Sequence, residues 1–289
     1  MVFAIALKAD RYPTYVLSDL DAAARLEVVP ERGGLITRWQ VEDRDILYFD
    51  DERFAQPELS VRGGIPILFP ICGNLPNSSY TLEGQTYHLK QHGFARDYPW
   101  QTAGQDVSEA AELTLEFSSD ETTRQSYPFD FRLRFTYRLH GHTLEILQRF
   151  TNLSAQPMPF TTGLHPYFLV QDKSRLSFEL PSVQYQDQNT GDVGPFEGHF
   201  DWQNDEIDVI FKLLTDNAAT VTDRQLGQRL TLSWGDAYSA LVFWTVKGKD
   251  YYCLEPWSAP KNGLNTGNVI EVAPQQSYET QVRLAVAFL

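Results

Sequence analysis

Two segments of this chain carry ionisable side chains in surroundings suited to proton exchange. In Thr161 to Phe168, TTGLHPYF, the imidazole of His165 is held between Gly163 and Pro166 among apolar and aromatic neighbours. In Tyr251 to Trp257, YYCLEPW, Glu255 follows an apolar run and precedes Pro256 and Trp257, a setting that disfavours the ionised carboxylate and raises its pKa. Histidine titrates near neutrality unaided and a partly buried glutamate can reach the same range, so the two together would make an acid and a base. The plainer alternatives are a core histidine satisfied by a backbone carbonyl and a buried carboxylate paired with an arginine.

Four more residues belong to the candidate set. His92 lies in QHGFARDYPW, where Gly93 gives backbone freedom and Phe94, Tyr98 and Trp100 offer aromatic faces on which the C–H face of a ligand could pack; a solvated turn histidine is the alternative. Asp208, in EIDVIF, is a further candidate carboxylate, although with Asp205 and Glu206 beside it a solvated acidic face is at least as good a reading. Arg62, in SVRGGIPILFP, and Arg96, in HGFAR, carry guanidinium forks that match phosphate oxygens, unless they pair with Asp97, Glu58 or the buried carboxylate. His88, His140, His142 and His199 read as structural or solvated. The His140 and His142 pair lacks a third ligand fixed by spacing, so no metal site is expected. There is no phosphate loop, nucleophile elbow or dinucleotide fingerprint.

TTGLHPYF, QHGFAR and YCLEPW together resemble the active-site signature of the aldose 1-epimerase family, the galactose mutarotase-like sugar epimerases. The resemblance runs from about Gly33 to the end of the chain, with its specificity in four short segments. It implies a large antiparallel supersandwich and cofactor-free interconversion of α and β hexose anomers through acid/base ring opening. By the same resemblance Glu255 is the base, His165 the acid that protonates the ring oxygen, His92 a donor that orients the ring, and Asp208 a ligand of sugar hydroxyls. The VRGG and HGFAR segments are similar instead to the hexose-6-phosphate 1-epimerase branch, where such arginines sit near the sugar phosphate. Free-sugar epimerases often carry Asn-Arg after the FP element; this chain has Ile71-Cys72-Gly73-Asn74-Leu75, so that sugar-binding arginine is missing unless Arg62 replaces it. A non-catalytic carbohydrate-binding protein is the third reading.

The elements that must position these residues are strands. Phe131 to Leu139, FRLRFTYRL, alternates apolar and polar residues, and His140-Gly141-His142 turns it into Thr143 to Phe150 as a hairpin. Tyr278 to Phe288 alternates in the same way; Glu112 to Phe117, Leu176 to Leu180, Leu230 to Trp234 and Leu241 to Val246 are further strands, the last buried on both faces. Helices are expected only over Asp120 to Ser126, capped by Ser119, and over Glu206 to Leu214. With no βαβ rhythm, repeat or linker, residues 1–289 are expected to form a single all-β domain, a large antiparallel β-sandwich.

Composition narrows the partners. A net charge of −14 repels polyanions and argues against nucleic acid, leaving a neutral sugar or a sugar phosphate held by a local arginine pair. No run reaches the ~18 apolar residues a membrane helix needs. MVFAIALKADRYP lacks the features of an export signal, and the two cysteines, Cys72 and Cys253, are too few for a disulfide framework, so a cytoplasmic monomer or homodimer is expected.

Overall fold

The computed structural model describes residues 2–289. Two eight-stranded antiparallel sheets dominate it. The outer one runs in the order Leu176–Glu179, Ala218–Asp223, Gln228–Trp234, Ser277–Phe288, Thr143–Asn152, Phe131–His140, Ala111–Ser118 and Gln101–Asp106. The site-bearing one runs Val193–Pro195, Gln184–Asp187, Glu206–Phe211, Ala240–Val246, Tyr251–Trp257, Gly163–Leu164 and Ile67–Leu68, with Tyr167–Leu169 also pairing with Tyr251–Trp257. A five-stranded sheet from Phe3–Lys8 to Arg44–Asp45 packs against the outer sheet through Thr14–Asp19 and Ala111–Ser118.

The alternating pattern of Phe131–His140 is realised residue by residue: Phe131, Leu133, Phe135, Tyr137 and Leu139 are all buried while the intervening arginines face outward. Leu139 pairs with Leu144 across the hairpin, and Gly141 takes the left-handed conformation at its tip. The two large sheets share one hydrophobic core, where Phe69 lies within 6.1 Å of the rings of Phe94, Tyr127, Phe131, Phe150 and Phe160. Phe69 also accepts backbone hydrogen bonds from Phe94 and Ala95, tying this core to the loop that carries His92.

Two helix assignments are corrected. Glu206 to Leu214 contains no helix: Glu206–Phe211 is an interior strand, paired with Ala240–Val246 and Gln184–Asp187. Ile207 and Val209 face the core with Glu206 and Asp208 on the other side, so the period is two, and the sheet on both sides overrides any local helical tendency. The helix Glu121–Ser126 does form, but Asp120 caps it in a reciprocal capping box with Thr123, while Ser119 bonds the neighbouring strand at Phe131.

Because Phe69 is fully buried at the junction of core and site, Phe69→Ala should cost about 3–5 kcal/mol of unfolding free energy. Chemical denaturation of the two proteins measures this, and a loss under 1 kcal/mol would show that the aromatic cluster closes over the gap.

Candidate active site

The strand Tyr251–Trp257 is buried along its whole length. Its even-numbered residues Tyr252 and Leu254 join the main core, whereas Tyr251, Cys253, Glu255 and Trp257 project from the opposite face. A cavity of about 350 Å³ opens on that face, and Glu255, Trp257, His165, His92, Asp208, Arg62 and Arg96 all line it. All six site residues expected from the sequence therefore converge, although they come from separate strands and loops.

His165 follows the short strand Gly163–Leu164, and its backbone N–H donates to the carbonyl of Pro66. The Tyr167 ring stacks on the imidazole at 4.7 Å and 6°, and Trp244 meets it edge-on, so the ring is clamped. Its Nε2 lies 3.4 Å from Glu255 Oε1. The other carboxyl oxygen, Oε2, accepts the indole N–H of Trp257 at 3.0 Å. Burial pushes the Glu255 carboxyl well above its ordinary range, against the opposing pull of the indole donor and Arg96. Burial, followed by the charges of Arg96 and Arg62, pushes His165 down to about 3. Both shifts act in the same direction, favouring a proton on Glu255 over one on His165.

His92 sits on a loop bent by two successive left-handed residues, His92 at φ 66° and Gly93 at φ 70°. A Cβ on Gly93 would fall 2.2 Å from the Phe69 carbonyl oxygen, so only glycine fits there. His92 and Gly73 bond reciprocally: the His92 N–H donates to the Gly73 carbonyl at 2.7 Å, and the Gly73 N–H donates to His92 Nδ1 at 3.1 Å. Burial holds His92 neutral. With Nδ1 accepting, the ring proton belongs on Nε2, which leaves that nitrogen as a donor to a ligand.

Asp208 faces the cavity from the strand Glu206–Phe211, and its Oδ1 accepts from Gln188 Nε2 at 2.8 Å. Burial, the largest effect, raises its pKa, so it is no solvated acidic surface. Arg62 lies over the Trp244 ring, 5.0 Å from its centroid. Arg96 is held through Gln91, whose carbonyl accepts at 3.0 Å, and its Nε is buried without a partner. Neither guanidinium forms an ion pair among the described residues, since Asp97 pairs with Lys90 at 2.7 Å. The cavity therefore has two cations whose hydrogen-bonding capacity is incompletely used.

The expected aromatic platform is corrected. Phe94 and Trp100 are buried in the core, and the aromatic faces at the cavity belong to Tyr167, Trp244 and Trp257. Trp100 turns inward because its indole N–H is satisfied by the Ala95 carbonyl. Trp257 could have been found by counting two residues from Glu255 along a strand. Lys261, Gln188 and Asn189 also line the cavity, from loops whose sequence carries no periodic signal.

His165, Cys253 and Glu255 bring their ligating atoms within 4.8 Å of one another. Arg62 and Arg96 act electrostatically on these same groups, so a divalent cation would add to two resident positive charges. The arrangement suits proton transfer better than metal binding.

The model of the family described as aldose 1-epimerase matches residues 18–285. The crystal structure of the Slr1438 protein from Synechocystis sp. PCC 6803 is 46% identical, with a TM-score of 0.95 over 99% of each chain. A galactose mutarotase related enzyme from Lactobacillus acidophilus shares the fold, at a TM-score of 0.80 and 23% identity, over 95% of this chain and 97% of that one. A protein of Cenchrus ciliaris described as a candidate glucose-6-phosphate 1-epimerase is 28% identical over 261 residues, 79% of this chain and 74% of its own. The match across nearly the whole sequence, on a galactose mutarotase-like fold, establishes that the chain belongs to the aldose 1-epimerase family of carbohydrate isomerases.

Proposed function

We propose that this protein is a mutarotase that interconverts the α and β anomers of a hexose, with Glu255 as base and His165 as acid. The observation that carries this reading is the 3.4 Å contact between the two groups in the lining of one cavity, with His92, Asp208 and two arginines around them. Incoming sugar hydroxyls donate to a carboxylate and so favour moving the shared proton from Glu255 to His165. The Glu255 carboxylate then takes the O1 proton, the C1–O5 bond breaks, and O5 takes the proton of the His165 imidazolium. Rotation about C1–C2 presents the other aldehyde face, and the reverse transfers close the ring as the opposite anomer. His92 donates through Nε2 to a sugar oxygen, while Asp208, held by Gln188, accepts from hydroxyls.

A hexose 6-phosphate is the second reading for the substrate. It is favoured by Arg62, Arg96 and Lys261 lining the same cavity, with Arg96 Nε lacking a protein partner. We also infer one domain acting in a reducing, cytoplasmic setting, supported by the shared core of the sheets and by two buried free cysteines. No helix among the described residues is long and apolar enough to cross a membrane.

Equilibration of freshly dissolved α-glucose and α-glucose 6-phosphate, followed by polarimetry or exchange NMR, separates the two substrates. Arg62→Ala should lower kcat/KM on the phosphate by at least about tenfold more than on glucose if the guanidinium binds phosphate; equal losses would return the assignment to the free sugar. Glu255→Gln should abolish activity while keeping the fold. Its folded-state pKa is raised, so the stability conferred by the protonated carboxyl is complete below the ordinary value of 4.5 and is lost as pH rises through the folded value. Glu255→Gln should therefore melt above the wild type at neutral pH, with the gap closing on acidification; a gap independent of pH would remove the charge-burial account. In a pH profile of kcat/KM, the acid limb should fall far below 6.5 and the alkaline limb above 4.5, because the active pair holds a single proton.

A further inference from the structure

We propose that Trp257 is a positioning residue for Glu255: its indole N–H fixes Oε2 and leaves Oε1 to His165 and the sugar. This rests on Glu255 being the base. The two side chains stand two residues apart on one strand, on the same face, and the indole donates at 3.0 Å with both residues almost fully buried. A carboxyl group held at one oxygen cannot rotate about its last bond without breaking a buried hydrogen bond, so Oε1 stays aimed at His165 Nε2.

The indole is itself fixed. It meets the His92 ring edge-on at 5.6 Å, and His92 is anchored in turn by Gly73. A methyl group on Gly163 would come 2.9 Å from the indole Cδ1, and one on Gly73 would come 3.2 Å from Cζ3. These two glycines clear the slot in which the ring lies. Trp257 thus links the base to the ring-orienting histidine through a rigid aromatic plate. It also favours the ionised carboxylate within a site whose burial opposes ionisation. The other groups acting on Glu255 are His165, Tyr167, Arg96, Asp208, Cys72 and Cys253. Among the described residues, Trp257 alone donates a hydrogen bond to Oε2.

The test is Trp257→Phe, which keeps an aromatic ring and removes the donor, assayed on whichever sugar the wild type equilibrates fastest. Loss of a hydrogen bond to a charged group should lower kcat by about 10–100-fold, with KM changed by less than about threefold. The alkaline limb of the pH profile should move to higher pH, since the carboxyl group has lost the donor that favoured its ionisation. Trp257→His, which retains a ring N–H, should recover part of kcat. Unchanged kcat, or a loss with an unmoved alkaline limb and a lowered melting temperature, would reduce Trp257 to packing.

In the unmutated protein, the indole N–H resonance of Trp257 should titrate with the apparent pKa of that alkaline limb; a resonance indifferent to pH overturns the proposal even where the variants fail to fold. Glu255→Gln separates the two layers of argument. Full activity in that variant refutes the base assignment, whereas its inactivity beside a fully active Trp257→Phe refutes the positioning role alone.

Discussion

The burial of the Glu255 carboxyl is the constraint on which the rest of the site depends. An ionised carboxylate removed from water is costly unless donors or positive charges surround it. This one lies on a strand buried along its entire length, with a tryptophan donor on one oxygen, an imidazole near the other, and a guanidinium within electrostatic reach. Those compensations are incomplete, so the carboxyl stays well above its ordinary range. A carboxyl that is easily deprotonated by its surroundings would be a poor base; one with a raised pKa accepts a hydroxyl proton with a smaller penalty.

The fold meets that constraint by making one strand serve two environments. The face of Tyr251–Trp257 carrying Tyr252 and Leu254 closes the sandwich core, and the face carrying Glu255 and Trp257 lines the cavity. The central strand is held by neighbours on both sides, Ala240–Val246 on one and the short strands beside His165 on the other. The candidate base therefore sits on an interior strand of the sheet, while His92 enters on a loop whose left-handed bend is fixed by Gly93 and Gly73.

Electrostatics work on two scales. The molecule as a whole carries −14 and repels anions at a distance, a repulsion that salt weakens over about 8–10 Å. Inside the cavity Arg62 and Arg96 act at short range, where screening is weaker, and after burial, the larger effect, they lower the pKa of His165. The same two charges oppose a cation at the His165, Cys253 and Glu255 cluster, which is why that cluster reads as acid/base machinery.

Local pattern sufficed where a residue's partners lie on its own strand or turn. The alternation of FRLRFTYRL gave its buried face, Gly141 its hairpin tip, and the apolar setting of YYCLEPW the raised pKa of Glu255. The motifs of TTGLHPYF and HGFAR singled out His165, His92 and Arg96, and all three line the one cavity. The pattern misled where distant partners decide: EIDVIF became a strand because sheet neighbours lie on both sides of it, and Phe94 and Trp100 turned into the core because their partners there are far off in sequence or set by the loop's bend. Residue type and strand period were enough to name the side chains able to exchange protons and to put them on strands. That these side chains meet, that Trp257 supplies the donor to Glu255, and that Lys261 and Gln188 join the cavity emerges from the folded chain alone, because contacts across dozens of residues are set by sheet register and chain crossing.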